Sequence, residues 1–170
     1  MASILRYFGY LAEDNRLDEA TGLTDRQKRL VQNTWTVIKK DQVNSGVAVM
    51  IAYFTKYPVY QQEFQPFKDM PLPELPANKK FQAHCANIIA ALNSVIDSLH
   101  DPGLMDANLI MLAERHKNRG QTEQQFQDMK QVILDVFRQI LGKQFTPEVA
   151  EAWNITVERT FSKICNVLAN

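Results

Sequence analysis

At 170 residues, with 45% hydrophobic side chains, the chain is the size of one ordinary domain with material for a single core. Lys plus Arg and Asp plus Glu both number 19, so there is no basic excess to gather on nucleic acid or anionic membranes. No apolar run approaches the roughly 18 residues that span a bilayer, and the first ten residues lack a signal peptide's apolar block and cleavage site. Cys85 and Cys165 lie 80 residues apart with no partner ligand spacing, so they read as reduced thiols, and a cytoplasmic location follows.

A leader, residues 1–22, precedes the first periodic segment and carries Ile4, Leu5, Tyr7, Phe8, Tyr10 and Leu11 before a polar, acidic stretch. Ala2 stands where myristoylation would need glycine, so the expectation is that this extension packs on the body of the domain, with membrane contact second. Residues 23–170 form the domain proper.

Thr24 and Gln27 make a capping box, and Val31, Trp35 and Ile38 follow at helical spacing. A second helix is expected from about Gly46, with Val47, Met50, Ile51 and Phe54 on one face, until Pro58 removes an amide. Pro66, Pro71, Pro73 and Pro76 make Tyr60 to Pro76 short turns and loop. Phe81, His84, Cys85, Ile88, Leu92, Val95 and Leu99 then trace one stripe, which Asp101-Pro102-Gly103 closes.

Leu109, Leu112 and His116 share a face of a shorter helix ending at Gly120. Thr122 with Gln125 repeats the capping box before Phe126, Met129, Ile133, Val136, Phe137 and Ile140, up to Gly142. Thr146-Pro147 opens the last helix, with Val149, Trp153, Val157, Phe161, Ile164 and Leu168 facing inward. The predicted architecture is all-α, six sizeable helices with no internal repeat and no second domain.

One inward histidine is more often a core residue bonded to a carbonyl than a ligand. Here two of the three histidines, His84 and His116, face inward from helices joined by a tight corner, among Ile88, Leu92, Leu109 and Leu112. Apolar surroundings favour the neutral imidazole, which is the form that binds metal. Zinc would want four close ligands and a di-iron bundle would want paired Glu-x-x-His motifs, and neither pattern is in the sequence. Asp97-x-x-His100 is a lone pair at a helix end, and Glu114 points to a different face from His116. Two isolated imidazoles across an apolar slot suit a planar macrocycle that brings its own four nitrogens.

The order Pro58, Phe64-Gln65-Pro66-Phe67, Phe81-Gln82-Ala83-His84, Leu112, His116 resembles the globin family over about residues 24 to 168. Phenylalanine comes six residues after the proline, the first histidine 20 residues later, and the second 32 beyond it. Within the family, Trp35, the stretch from Phe64 to Leu75 and the phrase ending in His84 are similar to intracellular insect haemoglobins.

The resemblance implies a globin fold of six to eight helices around a haem pocket, with haem b, iron protoporphyrin IX, as the cofactor. By the same resemblance His116 matches the proximal iron ligand. His84 matches the distal histidine, which either donates a hydrogen bond to dioxygen or binds iron directly until a gas displaces it. Phe64 matches the ring that stacks on the porphyrin, and Phe67 is a second cofactor-binding candidate that reads more readily as core packing. Ile88 crowds the ligand's landing place and Leu112 lies beneath the haem.

Two departures stand out. Met50 occupies a distal position where the family often has Leu, Phe or Tyr, so no hydroxyl there holds oxygen very tightly. Asn87 replaces a frequently basic partner of a haem propionate, and Lys80, Arg115 and Arg119 are the nearby cations.

The function implied is reversible dioxygen binding for storage or facilitated diffusion, without enzymatic turnover, with carbon monoxide and nitric oxide as further ligands. The alternatives are a nitric oxide dioxygenase, a haem redox protein, or a sensor or interaction module in which displacement of His84 moves the third helix and the leader. A dioxygenase would need an outside reductase, because the chain has no flavin or nicotinamide domain. Monomer and homodimer are equally compatible with the sequence.

Overall fold

The computed structural model describes residues 15–170. The leader's apolar stretch, with its expected docking or membrane contact, lies outside the described residues.

Six α-helices carry the fold among the described residues: α1 (Asp25–Ile38), α2 (Gln42–Lys56), α3 (Lys79–Asp97), α4 (Pro102–Lys117), α5 (Glu123–Leu141) and α6 (Pro147–Ala169). Short side chains fix where they begin. Thr24 and Thr122 each form a reciprocal capping box with the glutamine three residues on, and Thr146 caps α6 ahead of Pro147. Each cap satisfies amides that the first helical turn would otherwise leave open.

Two expected boundaries differ from the structure. The second helix starts at Gln42, a turn before Gly46, because Asp41 accepts from the Asn44 amide at 3.0 Å. Asp101-Pro102-Gly103 does not close the third helix, which has already ended at Asp97. It opens the fourth: Asp101 accepts from the Leu104 amide at 3.1 Å, and Pro102 takes the first helical position, where no amide is needed. That makes α4 a 16-residue helix.

The proline-rich span expected to be turns contains two 3₁₀ helices, Pro58–Glu63 and Leu72–Ala77. The buried Gln61 amide donates to the carbonyls of Phe67 at 3.0 Å and Met70 at 2.7 Å, which closes this span into a tight arch. Before α1, a two-residue strand β1 (Leu17–Asp18) pairs antiparallel with β2 (Leu23–Thr24). Asp18 accepts from the buried Lys28 ammonium at 2.5 Å, tying this hairpin to α1.

The core forms where α1, α5 and α6 meet. Trp35, Phe137 and Trp153 pack as a triangle of tilted rings, with centroids 4.9 to 6.0 Å apart. Both indole N–H groups are satisfied, Trp35 by Asn93 at 2.8 Å and Trp153 by Thr34 at 2.9 Å.

On the other side α2 crosses α3 so closely that a Cβ on Gly46 would come within 2.2 Å of the Cys85 carbonyl oxygen. Only glycine permits this approach. Cys85 and Cys165 are both free and buried. No described helix is long and apolar enough to cross a membrane.

Candidate functional site

Helix α3 presents two adjacent faces, where the sequence suggested one stripe. Phe81, Cys85, Ile89 and Ile96 are fully buried in the packing, while His84, Ile88, Leu92 and Val95 line a cavity beside it. A helix repeat of 3.6 residues separates the sets by about one position, which sequence spacing alone cannot resolve. α4 supplies the facing wall through Leu112 and His116, and α5 and α6 close the far end with Ile133 and Phe161.

The cavity measures about 520 Å³, within the range of about 300–1,000 Å³ typical of sites for drug-sized ligands and cofactors. All seven residues singled out in the sequence line it: Met50 from α2, Phe64 and Phe67 from the arch, His84 and Ile88 from α3, and Leu112 and His116 from α4.

The two histidines differ in how they are held. His116 Nδ1 lies 2.8 Å from the carbonyl oxygen of Leu112, one turn earlier. A carbonyl can only accept, so Nδ1 carries the proton and Nε2 keeps its lone pair on the opposite edge of the ring. Phe126 meets the same ring edge-on at 5.1 Å and fixes its tilt. His84, by contrast, makes no hydrogen bond among the described residues. It rests against aromatic rings, with Phe64 edge-on at 5.2 Å and Phe67 at 6.0 Å.

Burial pushes the His84 imidazole down to about 4, and the repulsion it would feel, once protonated, from a protonated His116 and from Arg119 acts in the same direction. Burial also lowers His116, against the opposing effect of its bond to Leu112. Both rings are therefore neutral at physiological pH, as a metal ligand must be.

The arch explains how two proline-flanked phenylalanines reach the cavity. Phe64 and Phe67 stack at 5.4 Å, Phe54 meets Phe64 edge-on at 5.2 Å, and Phe81 meets Phe67 at 5.2 Å. These contacts give His84 a rigid aromatic floor.

Of the cations considered for the Asn87 departure, Lys80 and Arg119 line the cavity. Arg115 does not; its Nε donates to the Met111 carbonyl on the exposed side of α4. Gln121, also on the lining, escaped the sequence reading. Its side-chain oxygen is buried with no hydrogen-bond partner among the described residues, and a buried polar atom in that state calls for a ligand or solvent partner. No periodicity marks Gln121, because it sits between two helices. Phe126 and Met129 read as core in the sequence and prove to be lining.

These observations meet what a planar tetrapyrrole requires. The site offers apolar walls, two neutral imidazoles from different helices, and the cations Lys80 and Arg119 for its acidic edge. Among the described residues, no group of three or more His, Cys, Asp or Glu gathers to cage a bare metal ion, so a metal here would have to bring ligands of its own.

Comparison with known proteins gives a consistent answer. The family described as Globin matches residues 47–164. Cytoglobin-2 of Danio rerio is 29% identical over 151 residues, covering 84% of each chain. Globin CTT-V of Chironomus thummi piger is 26% identical over 149 residues, covering 86% of this chain and 88% of that one. Among solved structures, the hexa-coordinate hemoglobin of Drosophila melanogaster, described for cyanide binding and haem-cavity transitions, superposes with a TM-score of 0.78 at 27% identity. That match covers 84% of this chain and 93% of the other.

Proposed function

This chain belongs to the globin family, with haem as its cofactor, and on that premise we propose that it binds dioxygen reversibly through haem held between His116 and His84. The single observation that carries the reading is the 2.8 Å bond from His116 Nδ1 to the Leu112 carbonyl, which presets the tautomer a proximal ligand needs and raises the basicity of Nε2. When bound, haem supplies an iron at which a diatomic gas can be taken up and released.

The chain's residues would divide the work. His116 would hold the cofactor from α4, Phe64 and Phe67 would pack against its ring, and Lys80 and Arg119 would meet its carboxylates. Met50 and Ile88 keep water from the distal side. His84, from the facing wall, would hold the iron as well while no gas is present. Its ring makes no hydrogen bond among the described residues and rests on Phe64 and Phe67, so it could swing aside and present an N–H to the gas. The hexa-coordinate fly hemoglobin, 27% identical, gives this part of the reading its precedent. Residues 23–170 are the haem domain in this account and residues 1–22 its extension.

Binding rather than turnover is the role proposed, with carbon monoxide and nitric oxide as further ligands. The test is the visible spectrum of the deoxygenated ferrous protein. Sharp, split bands that collapse to one broad band in His84→Leu support the sixth-ligand role. A broad band in both proteins removes that role, and failure of the ferrous protein to change reversibly with oxygen removes the function.

A further inference from the structure

Three tyrosines stand in van der Waals contact beside the cavity. Tyr53 and Tyr60 stack with centroids 5.3 Å apart, and Tyr57 lies 5.7 Å from the first and 5.5 Å from the second. Tyr53 and Tyr60 line the cavity, whereas Tyr57 and Tyr60 are partly open to solvent, so the cluster runs from the pocket to the surface. Nothing in the haem reading uses it.

The hydroxyls are not equivalent. Tyr60 donates to the Asp128 carboxylate at 2.7 Å, and the other oxygen of that carboxylate accepts from the Gln124 amide at 3.1 Å. Tyr53 donates to the Gln125 backbone carbonyl at 3.0 Å. Tyr57 has no protein acceptor among the described residues. A phenol that loses an electron becomes a strong acid, so its oxidation is accessible only where the proton can leave in the same step. A carboxylate in a short, charge-assisted hydrogen bond can take that proton, and an amide carbonyl cannot. Among the described residues, Tyr60 is the one of the three that has a base.

We propose that Tyr60, with Asp128 as its proton acceptor, is a one-electron relay that lets the protein reduce hydroperoxides at the haem with electrons from a solvent-side reductant. A hydroperoxide takes two electrons and two protons in becoming an alcohol and water. Each turn of the relay sends one electron from the Tyr60 ring towards the cavity. The phenolic O–H breaks and its proton forms an O–H on Asp128, leaving a neutral tyrosyl radical and a neutral carboxylic acid. A one-electron donor of the enediol class, such as ascorbate, reduces the radical at the exposed edge, and the proton returns from Asp128. Two turns supply both electrons, and the two protons consumed come from the oxidised donor and solvent. Tyr53 serves as the stacked bridge, and its ring stays protonated.

The inference rests on the haem reading above, and the experiment separates the two. The haem-loaded full chain is mixed with hydrogen peroxide, freeze-quenched and examined by electron paramagnetic resonance. A phenoxyl radical is expected. It should be lost in Tyr60→Phe, reduced or displaced in Asp128→Asn, and kept in Tyr53→Phe, with each variant's haem spectrum recorded first as a check on folding.

If Tyr60→Phe does not fold, the Asp128→Asn result decides. An undiminished signal in Tyr60→Phe, or no radical in wild-type protein with a normal haem spectrum, overturns the relay. If the chain holds no haem, the haem reading fails. A second arm, photo-oxidation of the haem-free chain by a ruthenium polypyridyl complex, then tests whether the radical still settles on Tyr60, and its absence there overturns the relay independently.

Discussion

Gly46 rides directly on the backbone of Cys85, so close that a Cβ at position 46 would fall 2.2 Å from the Cys85 carbonyl oxygen and 2.9 Å from its Cβ. The crossing of α2 over α3 is set by this contact, and with it the placement of Met50 on the cavity that His84 also lines. Backbone cannot yield as a flexible side chain can, so Gly46→Ala should part the helices. The expected loss is about 3 kcal/mol, the upper range for overpacking a tight core, read as a fall in melting temperature of about 6–12 °C. A variant within a degree of wild type would show that the crossing has slack.

The hairpin ahead of α1 is held by charge. Lys28 is buried, and Asp18 lies 2.5 Å from its ammonium; that hydrogen bond holds the Asp18 carboxyl below its ordinary value of 3.8. Asp18→Asn should cost about 2 kcal/mol at neutral pH, as for a hydrogen bond to a charged group. The sign with pH follows from the depressed native value: the unfolded chain takes up the proton first, so the contribution is complete above the unfolded value near 4 and is lost as pH falls through the native one. Urea unfolding of both proteins from pH 7 to pH 3 should show the difference shrinking only at the acid end. A difference that does not vary with pH would contradict the assignment.

Much of the fold was legible because its signals are local. The capping boxes at Thr24 and Thr122, and Thr146 before Pro147, are short-range chemistry, and the structure begins helices at each. His84 and His116 fall on one cavity because helical period and a short connection leave them little alternative. What escaped depends on partners distant in sequence. Asp101-Pro102-Gly103 carries the marks of both a stop and a start, and only the earlier end of α3 at Asp97 resolves it. The division of α3 into a packing face and a lining face needs Gly46 to say which side α2 covers. Tyr53, Tyr57 and Tyr60 are spaced as on one helix face, but Pro58 ends α2 at the Tyr57 cap, so the spacing alone does not carry Tyr60 to the other two.

Lys80 and Arg119, at the cavity, should retain the cofactor rather than stabilise the fold. The double variant Lys80→Ala, Arg119→Ala would remove the two cations proposed to meet the haem carboxylates. Hemin loss to an excess of a tight scavenger should accelerate by about tenfold or more, since each 1.4 kcal/mol is a factor of ten. The melting temperature of the haem-free chain should be unchanged. An unaltered loss rate would remove both residues from the site.

His116, its proton held on Nδ1 by Leu112, is the residue proposed to pin the cofactor. Titrating hemin into the purified chain and into His116→Ala, then recording both reduced spectra, tests it most directly. Wild-type protein should bind one equivalent and give a coloured complex, while His116→Ala should lose that complex or hold hemin only weakly, with a changed spectrum. A colourless wild type, or a variant indistinguishable from it, would contradict the account.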